Sequence, residues 1–222
     1  MKTHGPLNID GFVEPQFQEN GYLLWPTDNP HAWIVDPGLP PQTTQIADAI
    51  QKHGLTASAI LITHCHGDHI AGATELCETF PDLELYAPHA EEHMLTDTIA
   101  NLSAPFGFHV VTPPAEKLLA PGDEMTLGSL TFRILDVSGH SPGGLAYYCP
   151  DAGIVLTGDA LFAGSIGRTD FPGGSARQLL DNIRRNLLTL PEETLVYSGH
   201  GPPTTIAIER DSNPYLREGF LE

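Results

Sequence analysis

The stretch Ile60-Leu61-Ile62-Thr63-His64-Cys65-His66-Gly67-Asp68-His69 sets three histidines and an aspartate close behind an apolar, β-branched run. The run reads as a buried strand. On extended backbone His64 and His66, two apart, point the same way while Cys65 points oppositely, as a small core residue. Gly67 lets the chain turn and bring Asp68 and His69 beside the first pair. Neutral imidazole and carboxylate are ligands for Zn, Fe or Mn. Four such groups exceed what one ion takes from one loop, which predicts half of two adjacent metal sites.

Three later turns repeat the design, each placing a candidate ligand behind an apolar run and a glycine. Leu135-Asp136-Val137-Ser138-Gly139 leads to His140, Ile154-Val155-Leu156-Thr157-Gly158 to Asp159, and Leu195-Val196-Tyr197-Ser198-Gly199 to His200. With the first motif they supply seven ligands, the number two bridged ions require.

The elements that must position these groups follow from hydrophobic period and turn signals. Strands are expected over residues 7–13, 21–25 and 32–35, the last ending at the turn signal Asp36-Pro37-Gly38. A helix over 41–53 carries Ile46, Ala49 and Ile50 at helical spacing and stops at Gly54. The motif strand follows, then a helix over 70–80, a strand over 83–87 and a short helix over 89–97. The proline-rich segment 103–121 reads as a surface connection. From Lys117 the pattern turns all-β, with strands over 117–120, 124–127, 130–137, 145–149 and 154–156. An amphipathic helix spans 176–190, with Leu179, Leu180, Ile183 and Leu187 inward and Arg184 and Arg185 outward. A strand over 195–197 and a helix over 205–211 close the pattern. Two halves of strands plus helices predict an α/β fold of two sheets face to face with helices outside, a four-layer αββα sandwich, in one domain over 1–222.

Thr63-His64-x-His66-x-Asp68-His69, followed in order by Gly139-His140, Gly158-Asp159 and Gly199-His200, resembles the metallo-β-lactamase superfamily over nearly the whole chain. The resemblance implies the αββα sandwich with two divalent metal ions (zinc first, iron or manganese next) at one edge between the sheets. His64, His66 and His140 would bind one ion, Asp68, His69 and His200 the other, and Asp159 would bridge them. Residues 161–174 and the Asn213-Pro214-Tyr215-Leu216-Arg217 run resemble the glyoxalase II (hydroxyacylglutathione hydrolase) group, especially short bacterial members. That implies hydrolysis of a thioester such as S-lactoylglutathione by a hydroxide shared between the metals, with Asp68 and Asp159 as its catalytic carboxylates. Arg168 would contact an anionic substrate tail and Tyr147 or Tyr148 would line the pocket, the alternative for the tyrosines being strand packing. Arg168 stands where longer glyoxalase II enzymes carry a lysine, and Asp170 replaces a tyrosine of theirs. The rival is a mononuclear iron persulfide dioxygenase, a family that shares Gly167-Arg168-Thr169-Asp170-Phe171 and would take iron on His64, His140 and Asp159.

At 222 residues, 41% hydrophobic and 17% charged, the chain can bury a large core. Its net charge of −18 disfavours nucleic acid or an anionic membrane as partner, and the small-molecule thioester partner is what the resemblance implies. Cys65, Cys77 and Cys149 form no disulfide pattern, and neither a leader's apolar core nor a membrane-length run is present. The expectation is a cytoplasmic enzyme.

Overall fold

Leu23 and Leu24 are neighbours in sequence, yet Leu23 packs outward under helices and Leu24 packs inward against a second sheet. That alternation, repeated by Ile60 and Leu61 and by Tyr147 and Tyr148, generates the architecture. The computed structural model describes residues 1–217; the last five positions of the expected 1–222 unit lie outside the described residues.

The first sheet holds β1 (Lys2–His4), β2 (Leu7–Val13), β3 (Asn20–Pro26), β4 (His31–Val35), β5 (Thr56–Leu61), β6 (Glu84–Pro88) and β7 (Lys117–Leu119), in that order. The second comprises β8 (Glu124–Leu127), β9 (Leu130–Asp136), β10 (Leu145–Cys149) and β11 (Ile154–Gly158). After a small hairpin of β12 (Leu161–Phe162) and β13 (Ser165–Ile166), β14 (Leu195–Ser198) and β15 (Thr204–Thr205) complete it, in the order β15-β14-β11-β10-β9-β8. Between the sheets lie Leu24, Trp33, Leu61, Phe132, Tyr147 and Leu156, with Trp33 and Phe132 in ring contact at 5.1 Å. Each such fully buried side chain is worth about 1.5–3 kcal/mol of transfer free energy.

Outside the first sheet, α1 (Gln42–His53) buries Ile46, Ala49 and Ile50 and ends at Gly54, whose φ of +65° is the left-handed cap expected there. Outside the second, α4 (Ala176–Asn182) continues through a wider π turn, Ile183–Leu187. Leu179, Leu180, Ile183 and Leu187 are fully buried and Arg184 and Arg185 exposed, as the periodicity requires. The αββα sandwich is therefore present. No helix among the described residues is long and apolar enough to cross a membrane.

Four features refine the sequence reading. The helix expected over 70–80 is two, α2 (Gly67–Ile70) and α3 (Ala73–Thr79), broken where Gly72 approaches Pro37 so closely that its N–H donates to the Pro37 carbonyl at 2.8 Å. The strand beginning at Lys117 joins β6 in the first sheet instead of opening the second, because a three-residue apolar pattern carries no information about its partner. Strands β1, β12, β13 and β15 are too short to register as periodic runs. Finally, the 103–121 connection runs over the surface as expected for most of its length but is pinned at the buried Ser103, Val110 and Thr112. Just before it, Asn101 is fully buried and its carbonyl accepts from the Gly67 N–H at 2.7 Å, fastening the approach to this connection to the histidine loop.

Candidate metal centre

All seven candidate ligands meet at one edge of the sandwich, where four strands end. His64 and His66 follow β5, with Asp68 and His69 in α2 directly behind them. His140 follows β9, Asp159 follows β11, and His200 follows β14. The edge is stitched by main-chain bonds, Leu145 N–H to the Thr63 carbonyl at 2.8 Å and Gly199 N–H to the Gly158 carbonyl at 2.8 Å. Two glycines are required by crowding here. A Cβ on Gly199 would come within 2.3 Å of Asp159 Oδ1, and one on Gly167 within 1.8 Å of the Asp159 carbonyl.

The side chains fall into two triads. His64, His66 and His140 present ligand atoms within 4.8 Å of one another, as do Asp68, His69 and His200. Asp159 stands between: Oδ1 lies 3.5 Å from His69 Nε2, and Oδ2 lies 3.6 Å from His140 Nε2 and 3.5 Å from His200 Nε2. His66 Nδ1 faces His140 Nε2 at 3.0 Å, and Asp68 Oδ2 faces His200 Nε2 at 3.5 Å. Ligands at 2.0–2.2 Å from a tetrahedral ion lie roughly 3.3–3.6 Å apart, so the 3.5–3.6 Å separations around Asp159 and between Asp68 and His200 suit cations. His64 Nε2, His69 Nε2 and Asp159 Oδ1 are buried without a hydrogen-bond partner, which is costly unless a cation satisfies them.

The opposite ring nitrogens are engaged by groups that set the tautomer. The Arg168 carbonyl accepts from His140 Nδ1 at 2.7 Å, and the Gln18 carbonyl accepts from His200 Nδ1 at 3.2 Å. A carbonyl only accepts, so the neutral form of each ring carries its lone pair on Nε2. Asp36 does the same for the buried pair. Its Oδ1 accepts from Thr63 N–H at 2.7 Å, and its Oδ2 accepts from Thr63 Oγ1 at 2.6 Å and His69 Nδ1 at 3.1 Å. Thr63 Oγ1 in turn accepts from His64 Nδ1 at 3.1 Å. Asp36 also lies within ligand distance of His64 and His69, but both its oxygens are occupied, so it orients.

Burial, with neighbouring histidines, pushes His64 well below the usual imidazole range and His66 down to about 3, leaving both neutral and able to ligate. Burial opposes charge on His69 too, yet Asp159, Asp68 and Asp36 around it hold its pKa well above normal. Burial would raise Asp68, but His69 and His200 hold it below the usual carboxylate range. A carboxylate-rich cluster that draws a proton onto a buried histidine also attracts a metal cation.

Above the ligands opens a groove of about 250 Å³ lined by Phe17, Phe106, Phe108, Phe171 and Arg168 together with His66, Asp68, Asp159 and His200. Arg168 is thus beside the centre, as expected. Tyr147 is not. It is fully buried between the sheets, and its hydroxyl donates to the Ile62 carbonyl at 2.6 Å, so it packs the core and ties down the end of the histidine strand. Tyr148 is buried in the layer beneath α4. Cys65 is fully buried away from its histidine neighbours.

Sequence reasoning missed Asp36 and Glu91. Asp36 directly follows the apolar strand β4, the same pattern that marks His140, Asp159 and His200, but in sequence Asp36-Pro37-Gly38 reads as a turn signal. Glu91 is fully buried in a short 3₁₀ turn, where Oε2 accepts from Cys65 N–H at 2.6 Å and Oε1 from Gly143 N–H at 2.7 Å. It braces the His64–His66 loop against the His140 loop, and nothing local in sequence marks it.

Residues 15–200 match the family model of the metallo-beta-lactamase superfamily. The chain is 43% identical to the Bacillus subtilis "Probable metallo-hydrolase YqgX" over 91% of its length and 94% of that protein. It is 32% identical to hydroxyacylglutathione hydrolase GloC of Haemophilus influenzae over 95% of its length and 98% of that protein. Among solved structures, BLEG-1 B3 metallo-beta-lactamase superposes with a TM-score of 0.89 at 38% identity, covering 94% of this chain and 99% of that one. TTHA1623 in a di-iron-bound form gives 0.81 at 35% identity over 93% and 100%. ETHE1 from Myxococcus xanthus gives 0.75 at 29% over 93% and 83%.

Proposed function

The chain belongs to the metallo-beta-lactamase superfamily and is a metallo-hydrolase of it, and we propose that its reaction is the hydrolysis of a thioester at a pair of divalent cations. The observation that carries this is Asp159 set between two complete triads, His64-His66-His140 and Asp68-His69-His200. The donors are imidazole nitrogens and carboxylate oxygens with no thiolate, a set suited to zinc, iron or manganese. Two such ions, when bound, supply Lewis acidity and bring the pKa of a water toward neutrality.

The chain's own groups do the rest. Asp159 keeps the two triads at fixed separation. Asp68, held ionised by its histidine neighbours, offers a carboxylate at the groove floor that orients a water by accepting a hydrogen bond from it. The phenylalanine walls offer the substrate apolar contact. A thiolate is a good leaving group, with a free-thiol pKa of about 8.5, so the absence of a further general acid among the groove-lining residues is consistent with thioester cleavage. The similarity to GloC supports the same class. This reading takes a small-molecule partner rather than nucleic acid or membrane, and a cytoplasmic setting.

The likeness to ETHE1, together with Gly167-Arg168-Thr169-Asp170-Phe171, favours persulfide dioxygenation with one iron as the second reading. One preparation separates them. About two metals per chain with S-lactoylglutathione turnover, abolished in His64→Ala, is the expected result. A single iron with oxygen uptake on glutathione persulfide, or turnover that survives His64→Ala, would overturn it.

A further inference from the structure

The groove wall is aromatic and continuous. Phe17 meets Phe106 and Phe108 at centroid distances of 6.1 and 5.3 Å, and Phe106 meets Phe171 at 6.2 Å. Phe171 reaches down to the ligands, 5.8 Å from the ring of His66. Such a wall stacks well against another aromatic or branched apolar group.

The sole lysine or arginine lining this groove among the described residues is Arg168, and it is already occupied. Nε and Nη2 donate to the two oxygens of Asp170 at 2.7 and 2.6 Å, the paired geometry a substrate carboxylate would require. Arg168 Cζ lies over the ring of Phe171, 4.0 Å from its centre, so the guanidinium is also engaged with the aromatic wall. The remaining ionisable lining groups, His66, His200, Asp68 and Asp159, belong to the metal centre.

We propose that the groove selects an uncharged thioester carrying an aromatic or branched apolar arm, with Asp170 as a built-in competitor that keeps Arg168 from a substrate carboxylate. The proposal rests on the thioester reading. Both partners of the Arg168–Asp170 pair are more than half exposed, so the pair resists displacement only modestly, by up to about fivefold in an equilibrium constant. It therefore sets a preference between substrates rather than an absolute barrier. The chain's charge of −18 acts in the same direction.

Two uncleavable thioethers that differ by one carboxylate, S-benzyl-N-acetylcysteamine and S-benzyl-N-acetylcysteine, test this by calorimetry on the full-length, metal-loaded protein. The wild type should bind the uncharged compound more tightly. Asp170→Asn should strengthen binding of the carboxylate compound by about three- to fivefold without an equal gain for the other. That gain should vanish when Arg168→Gln is added, which a merely structural role for Asp170 would not produce. Equal or tighter binding of the carboxylate by the wild type, no measurable binding of either compound, or equal gains in Asp170→Asn would overturn the proposal. Hydrolysis of the matching S-benzoyl thioesters is measured in parallel. Failure of turnover refutes the hydrolase reading, whereas the binding preference alone decides the groove.

Discussion

Asp36→Asn is the sharpest test of how the buried histidines are held. The wild-type carboxylate accepts three hydrogen bonds, from Thr63 N–H, Thr63 Oγ1 and His69 Nδ1. A carboxamide of the same shape has one oxygen to accept and an NH₂ that can only donate. If the oxygen stays on Thr63 N–H, the NH₂ faces Thr63 Oγ1 and His69 Nδ1. His69 must then accept on Nδ1, which moves its proton to Nε2, the atom that faces Asp159 and Asp68. Loss of such an orienting partner weakens metal binding by about 10- to 100-fold, or about 1.4–2.8 kcal/mol. The affected triad is Asp68-His69-His200, so the variant is made in wild-type and His66→Ala backgrounds, the latter disabling the other triad. Competition against a chromophoric chelator reads the affinity, and urea unfolding of the metal-free protein separates it from a fall in stability of about 1–3 kcal/mol. Affinity within twofold of the parent in both backgrounds would refute the tautomer argument.

Two further predictions concern the frame. Glu91→Ala leaves the buried N–H groups of Cys65 and Gly143 without acceptors, so stability should fall by about 2–5 kcal/mol in urea titrations, and Glu91→Gln, which keeps one acceptor oxygen, should lose less. His66, whose folded pKa of about 3 lies below the ordinary 6.5, contributes to the pH dependence of the metal-free protein, and buried His64 acts in the same direction. Between those values the folded state holds fewer protons than the unfolded one, so stability rises with pH across that window and is lost as pH falls, by up to about 1.4 kcal/mol per pH unit. His66→Gln should flatten the slope measured by urea midpoints at pH 4.5 and 6.5; an unchanged slope would assign it to other groups.

Most of the architecture was legible because both of its periods are strong. The bounds of β2, β8 and β10 match the expected strands, and the inward leucines of α4 and its π turn fall where a 3.6-residue period puts them. Pairing was another matter. β7 belongs to the first sheet through a register with Tyr86, Ala87 and Pro88, a contact set by tertiary packing and not by any property of Lys117-Leu118-Leu119 itself. The break between α2 and α3 has the same character, since Gly72 is forced by Pro37 and Gly38 across the fold.

At the site the same division separates ligands from the groups that aim them. A metal ligand must sit at a strand end, behind a turn, with a particular chemistry, and those constraints are local enough to read one strand at a time. An orienting group has to satisfy only one atom of one ring, and a main-chain carbonyl serves as well as a side chain. Arg168 illustrates this: its carbonyl fixes His140, a role any residue could fill, while its side chain stands in the groove paired with Asp170. The two functions are physically independent. Replacing the side chain should change which substrates bind while leaving His140 aimed, and moving the backbone, as a Cβ on Gly167 would, should disturb the metals first.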